Sequence, residues 1–122
     1  MIKRLDRLDI ATSDLADAAA AYERNFDFKV RRIPGSDDAV IAIGDAEIRL
    51  RTGAAAADVI ASAGEGLAAV WLEADDVEQV AGALRKAGLA FSPVRKEDGR
   101  RVLAVDPKAA SMVPLFIFDR RA

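Results

Sequence analysis

The sequence predicts a fold of strands and helices in which one β-α-β-β-β unit occurs twice. Hydrophobic residues alternate along the strand segments and recur at helical spacing along the others, in the same order in both halves of the chain. The first strand and helix start of the two halves also align at one constant offset, which places Leu8 on Val70 and Ile10 on Leu72. Both observations indicate a tandem repeat of one supersecondary unit.

The first half begins with a strand at residues 3–12, where apolar and polar side chains alternate as in a half-buried strand. Ser13 or Asp14 then caps a helix that runs to about residue 25, because short polar side chains accept hydrogen bonds from the free N–H groups of a first turn. Turn residues separate three short strands, at residues 28–33, 40–43 and 46–51.

The second half repeats this order after an alanine-rich connector that is predicted to hold about one helical turn. A strand at residues 67–74 leads to a cap at Asp75 or Asp76 and to a helix that stops at Gly88. Three further strands are predicted at residues 91–94, 101–105 and 113–118. The chain is therefore predicted to be a single domain, with module 1 at residues 1–52, the connector at 53–66 and module 2 at 67–122.

The composition excludes several kinds of chemistry. The 122 residues include no cysteine and no histidine, which rules out disulfides and thiolate nucleophiles and removes the usual general base and the commonest transition-metal ligand. A net charge of -2 argues against a nucleic-acid partner, and no apolar run reaches the roughly 18 residues that span a bilayer. We therefore expect a cytoplasmic globular protein that binds neither nucleic acid nor membranes.

Several short motifs resemble a known superfamily. They are the helix caps at residues 13–15 (SDL) and 75–77 (DDV), and the segments at residues 64–70 (GEGLAAV), 106–108 (DPK) and 113–117 (VPLFI). In this order they resemble the vicinal oxygen chelate superfamily of glyoxalase I, bleomycin resistance proteins and extradiol dioxygenases, and most of all its methylmalonyl-CoA epimerase branch. The resemblance implies an α+β fold in which two βαβββ modules form a cupped mixed β-sheet with helices outside and a small-molecule cavity within.

The resemblance also locates the positions at which metal-dependent members carry their ligands. These positions are occupied here by Arg7, Arg49, Ala69 and Phe116. Two cations would repel a divalent metal, and the other two side chains have no donor atom. We therefore expect neither a metal nor another cofactor, and no reaction that depends on a metal-held enediolate.

Strand alternation places eight residues on the face that would line the cavity. They are Arg7, Asp9, Glu47, Arg49, Ala69, Trp71, Glu73 and Phe116. A guanidinium group binds a carboxylate or phosphate through parallel hydrogen bonds, and an indole ring stacks on flat apolar groups. The predicted ligand is a small anion with an apolar or aromatic part, such as a carboxylate or a coenzyme A thioester.

Structural roles for the same residues remain open at this point. Nearby acids could neutralise Arg7 and Arg49, because an unpaired buried charge is costly, and Trp71 and Phe116 could be ordinary core residues. A basic cluster flanks the turn at residues 97–99, and we expect it to be a solvated loop unless a phosphate-bearing ligand uses it. This cluster consists of Arg95, Lys96, Arg100 and Arg101.

Three classes of function fit these residues. The first is metal-free binding of a small molecule. The second is a metal-free lyase or isomerase, epimerase-like, in which Asp9, Glu47 or Glu73 acts as the base and arginines stabilise an oxyanion. The third is an interaction module whose cavity has closed. Binding is favoured, whether the protein is an enzyme stays open, and a homodimer is expected because an open sheet edge needs cover.

Overall fold

The computed structural model describes residues 1–121 and shows an α+β fold. Its first β-α-β-β-β series consists of β1 (Ile2–Ala11), α1 (Leu15–Phe26), β2 (Val30–Arg32), β3 (Ala39–Ile43) and β4 (Ala46–Arg51). After α2 (Ala54–Ala63), the second series consists of β5 (Gly66–Ala74), α3 (Val77–Lys86), β6 (Arg95–Glu97), β7 (Arg100–Val105), a 3-10 turn (Pro107–Ala110) and β8 (Leu115–Asp119). Within residues 1–121, no helix is both long and apolar enough to cross a membrane.

The chain divides into two compact units. The first, called here the N-terminal unit, comprises residues 7–68, and the second, the C-terminal unit, comprises residues 1–6 together with the chain from residue 69 onward. Strands β1 and β5 each contribute residues to both units.

The N-terminal unit is a four-stranded sheet with α1 packed on one face. Its strand order is β2-β3-β4-β1, with β1 parallel to β4 and the other neighbours antiparallel. Side chains alternate along a strand, so Ile10, Ile48 and Leu50 share the face that packs on Leu15 of α1. We call the opposite face the far face of this unit.

The C-terminal unit has the same arrangement with different residues. Its strand order is β5-β8-β7-β6, with β5 parallel to β8. One face packs on α3 through a core that includes Val77, Leu103 and Ile117, all 5% exposed or less. The far face of this unit carries a second cluster, which we call the aromatic cluster; its members are Ala69, Trp71, Val102, Phe116 and Phe118.

The predicted helix starts are confirmed. The Asp14 carboxylate accepts a hydrogen bond from the Asp17 N–H at 3.0 Å, and the Asp76 carboxylate accepts one from the Glu78 N–H at 2.9 Å. Each carboxylate occupies the N-cap position of its helix, where it satisfies a donor that has no partner within the helix and lies favourably on the helix dipole.

Two elements differ from the sequence prediction. The segment after β4 forms a ten-residue helix, α2, instead of about one turn, because a run of alanines propagates a helix once Gly53 begins it and Gly64 ends it. The strand predicted at residues 91–94 is instead a single bridge between Phe91 and Val105, with β6 beginning at Arg95. Proline at position 93 explains the shift, because it has no N–H to donate to a strand ladder.

A buried ion pair joins β7, β8 and the start of α3. The Asp119 side chain is fully buried, accepts hydrogen bonds from Arg101 and from the Val77 N–H at 2.6 Å, and receives a further one from the Arg121 N–H at 3.1 Å. Burial alone would raise the pKa of Asp119, but these hydrogen bonds, first of all those from Arg101, outweigh it and hold the pKa below its ordinary value.

We predict that Asp119→Asn lowers the free energy of unfolding at neutral pH by about 3 kcal/mol, the low end of the cost of breaking a buried ion pair, because it removes the buried carboxylate charge while Asp76 still pairs with the Arg101 guanidinium. Since the folded-state pKa of Asp119 is lowered, the wild-type contribution is complete above the ordinary carboxyl pKa and disappears as the pH falls through the lowered value. Urea unfolding over a pH series would measure both effects. Asp98→Asn, in an exposed turn with φ 50, is the control, and an equal loss in that variant would contradict the prediction.

Candidate functional site

The far face of the N-terminal unit is lined by charged side chains from β1 and β4. In the register of these strands Arg7 lies opposite Glu47, Asp9 opposite Arg49, and Ala11 opposite Arg51. Because Leu8, Ile10, Ile48 and Leu50 occupy the alternate positions, the charged set faces away from α1, as the sequence predicts.

Arg7 and Asp9 form a tight and buried ion pair. The Arg7 Nε donates to the Asp9 carboxylate at 2.8 Å, and their side chains are only 11% and 4% exposed. Arg51 lies between Asp9 at 3.7 Å and the Asp38 carboxylate at 3.4 Å. The positive charge of Arg7 is therefore neutralised within the protein, which is the structural alternative left open by the sequence.

Arg49 and Glu47 are held much more loosely. The Arg49 Nε lies 3.7 Å from the Glu47 Oε2, beyond hydrogen-bond distance, with the two side chains 27% and 34% exposed. Both of these atoms are covered by protein and have no hydrogen-bond partner among residues 1–121. The terminal amino groups of Arg49 also make no hydrogen bond with residues 1–121. Unlike the Nε atom they are not covered by protein, so they reach solvent.

The far face of the C-terminal unit is apolar and aromatic. The Trp71 and Phe116 rings stack with centroids 4.5 Å apart and an angle of 15°, and the Phe118 ring meets Trp71 edge-on at 6.2 Å. Trp71 and Ala69 are 5% and 6% exposed, whereas Phe116 is half-buried. Trp71 is therefore a buried member of this cluster, and Phe116 is the member whose ring reaches the surface.

Glu73 lies at the end of the same face and is surrounded by cations. Its carboxylate is 2.9 Å from the Arg4 Nε, 3.6 Å from the Arg120 Nε and 4.0 Å from the Lys3 Nζ. The residue is only 6% exposed. Its negative charge is therefore satisfied by the protein itself.

Arg100, which the sequence placed in the basic cluster beside the turn, also lies on this face. Its guanidinium carbon lies 5.2 Å from the Trp71 ring centroid and 4.9 Å from the Phe118 ring centroid, in range of a cation–π interaction. The solvated loop expected for the basic cluster is thus wrong for Arg100, and also for Arg101, which binds Asp119. Strand alternation could have predicted this position, because Arg100 lies two residues before the buried Val102 and therefore on the same side of β7.

The residues at the four positions implied for metal ligands do not fit a divalent metal. Arg7 and Arg49 are cations, and both Ala69 and Phe116 lack a donor and belong to the aromatic cluster. Among residues 1–121 no three Asp or Glu side chains come together in a way that could hold a metal ion.

Comparison with known families identifies the fold. The model of the Glyoxalase/Bleomycin resistance protein/Dioxygenase superfamily matches residues 4–109. The chain belongs to this superfamily. That membership confirms the resemblance seen in the sequence motifs, and no curated protein matches the chain.

Solved structures of superfamily members share the fold at low sequence identity. A methylmalonyl-CoA epimerase from Mycobacterium tuberculosis matches with a TM-score of 0.76 and 21% identity, covering 99% of this chain and 90% of that one. A Streptomyces coelicolor methylmalonyl-CoA epimerase variant in complex with 2-nitronate-propionyl-CoA gives 0.75 and 22%, with 100% and 97% covered. A methylmalonyl-CoA epimerase in complex with methylmalonyl-CoA and NH4+ gives 0.73 and 24%, also with 100% and 97% covered.

The two ion pairs of the N-terminal unit are predicted to differ in stability. Asp9→Asn should lower the free energy of unfolding by about 3–5 kcal/mol, because it removes the buried carboxylate charge that pairs with Arg7 and with Arg51. Glu47→Gln should cost less than about 1 kcal/mol, since its pair is half-exposed and makes no hydrogen bond. Urea unfolding of the two variants at neutral pH compares them directly, and similar losses would show that both pairs are structural.

Proposed function

We propose that this protein binds a small anionic molecule with an apolar or aromatic part, and that it does so without a metal. The observation that carries the proposal is the Arg49 guanidinium, whose terminal amino groups reach solvent without a hydrogen bond to residues 1–121. A half-buried guanidinium in this state can bind a carboxylate or phosphate through two parallel hydrogen bonds.

Arg49 is better suited to this role than its neighbours. Arg7 already donates to Asp9, and Arg51 is shared between two carboxylates. Glu47 reduces the positive charge at Arg49, but its 3.7 Å separation leaves the guanidinium free to donate elsewhere. An anionic ligand would therefore gain a charge-assisted contact without breaking a buried ion pair.

The C-terminal unit offers a recognition surface of its own, the aromatic cluster. Phe116 is accessible and backed by the stacked Trp71 ring, which fixes its orientation. A rigid aromatic surface recognises a flat or apolar group at little conformational cost. Aromatic carboxylates and acyl thioesters of coenzyme A each carry both a negative charge and an apolar group, and two of the structural relatives are complexes with molecules of the second kind.

Metal independence is part of this proposal. The chain has no histidine or cysteine, and cations occupy two of the implied ligand positions, so the protein itself supplies the positive charge that a metal provides in other members. We also infer a homodimer, because β2 and β6 are the last strands of their sheets and leave unpaired backbone groups at the edge.

A thermal-shift screen with and without a chelator tests the proposal. Aromatic carboxylates, coenzyme A thioesters, small keto acids and divalent metals would be compared. We expect one anionic class to raise the melting temperature regardless of the chelator, because a ligand that binds only the folded state stabilises it by mass action. A rise that requires a metal, or no rise with any anion, would overturn the proposal.

We predict that Arg49→Ala weakens binding of the anion found in that screen by about 1.5–3 kcal/mol, the value of a hydrogen bond to a charged group. The free energy of unfolding should change little, since Arg49 makes no hydrogen bond within residues 1–121. Isothermal titration and urea unfolding measure the two quantities. Arg31→Ala, an exposed arginine on β2, is the control for the loss of one positive charge. Lost stability with unchanged binding would assign Arg49 a structural role.

A second function is favoured by the state of one carboxylate. Of the three candidate bases, Asp9 and Glu73 are fixed by ion pairs as short as 2.8 and 2.9 Å, whereas the buried Glu47 Oε2 accepts no hydrogen bond from residues 1–121. A carboxylate oxygen that accepts no hydrogen bond can take a proton from a carbon atom of a substrate. The adjacent Arg49 would then stabilise the oxyanion that forms. Metal-free epimerase-like proton transfer by Glu47 is therefore the alternative proposal.

Proton exchange distinguishes this alternative from binding alone. The protein would be incubated with acyl coenzyme A thioesters and keto acids in deuterated buffer with chelator, and loss of the acidic C–H signal would be followed by NMR. Catalysis predicts exchange that Glu47→Gln reduces at least about 100-fold, the scale of a general base. Glu23→Gln, on the exposed side of α1, should leave the rate unchanged. Binding without proton exchange would contradict the catalytic alternative and support binding alone.

A further inference from the structure

The hairpin of β6 and β7 holds a cation whose charge no acid in the described chain neutralises. Glu97 lies directly opposite Arg100 in the antiparallel register. Its carboxylate nevertheless pairs with Arg95, at 3.0 and 3.1 Å. Arg100 consequently forms no salt bridge and no hydrogen bond with residues 1–121.

The aromatic cluster determines how the Arg100 side chain is presented. Its guanidinium lies over the Trp71 and Phe118 rings, at 5.2 and 4.9 Å. The Arg100 Nε is covered by protein without a hydrogen bond, while the terminal amino groups are not among the covered atoms. A guanidinium resting on an aromatic surface keeps its N–H groups directed outward in its own plane, where they can donate to an oxyanion.

We propose that Arg100 is the residue that determines ligand specificity in the C-terminal unit, by binding the carboxylate or phosphate of a molecule whose flat apolar part contacts the aromatic cluster. The charge of Arg100 selects the oxyanion, and Phe116, the half-buried ring that stacks on Trp71, provides the apolar contact. A neutral aromatic molecule has no charge for Arg100 to bind. A small anion without an apolar group makes no contact with the aromatic cluster. The inference rests on the proposed binding function and names its ligand class.

Ligand binding at the aromatic cluster can be followed by tryptophan fluorescence. The chain has a single tryptophan, Trp71, so its fluorescence reports on this face alone. The probes are benzoate and phenyl phosphate, with acetate and benzamide as analogues that lack the ring and the charge. Comparing benzoate with phenyl phosphate shows whether a carboxylate or a phosphate is preferred.

The variants separate Arg100 from the general positive charge of its hairpin. Arg100→Gln removes the charge, and Arg100→Lys keeps the charge and the aromatic contact but loses the paired N–H donors. Lys96→Gln removes an exposed charge of the same hairpin and is the matched control. Circular dichroism and thermal unfolding of each variant confirm that it is folded.

The expected result is saturable binding of benzoate or phenyl phosphate by the wild type, seen as a change in Trp71 emission. Arg100→Gln should weaken this binding roughly 10- to 100-fold, Arg100→Lys should weaken it less, and Lys96→Gln should leave it within about twofold. Benzamide and acetate should bind more weakly than either probe.

Two results would overturn the inference in distinguishable ways. Equal binding by Arg100→Gln and the wild type, with loss in Arg49→Ala, would place the anion at Arg49 and leave the proposed function intact. Binding of benzamide as tightly as benzoate would likewise remove the role of Arg100. A wild type that binds neither these probes nor any anion of the thermal-shift screen would overturn the binding function together with this inference.

Discussion

A charge withdrawn from water requires a counter-charge, and this constraint distinguishes two pairs of arginines. Arg7 and Arg101 each have a buried carboxylate at hydrogen-bond distance, which ties them into the fold. Arg49 and Arg100 have no such partner among residues 1–121 and keep amino groups that reach solvent.

The two units show how one topology accommodates different chemistry. Both place a four-stranded sheet against a helix, and in both the helix-side positions are aliphatic. The far faces carry different kinds of side chain, because residues that point away from the helix are not constrained by packing against it. One far face is held by ion pairs and the other by ring stacking.

Much of the fold could be predicted from the sequence because its signals are local. Alternation of polar and apolar residues located most strands, and Asp14 and Asp76 located the helix starts through a hydrogen bond within the same turn. The full length of α2 was missed because its alanines give no periodic apolar stripe, although their intrinsic propensity was the available signal.

The candidate site was less predictable, because alternation gives the face on which a side chain lies but not its distance from a neighbouring charge. Alternation identified the far-face residues of β1 and β4, but it could not tell that Asp9 would bind Arg7 tightly while Glu47 would stay 3.7 Å from Arg49. Arg100 was recognised as part of a basic cluster, but its contact with aromatic rings was not predicted, because those rings come from β5 and β8.

The position of Arg100 beside a turn has a consequence for how this protein can evolve. Asp98 and Gly99 form an exposed turn with positive φ values, and the three residues of β6 contribute no side chain to the helix-side core. Substitutions or insertions here would alter the charge presented over the aromatic cluster while leaving the core packing unchanged. The packing of the helix-side core therefore does not depend on the sequence of this turn.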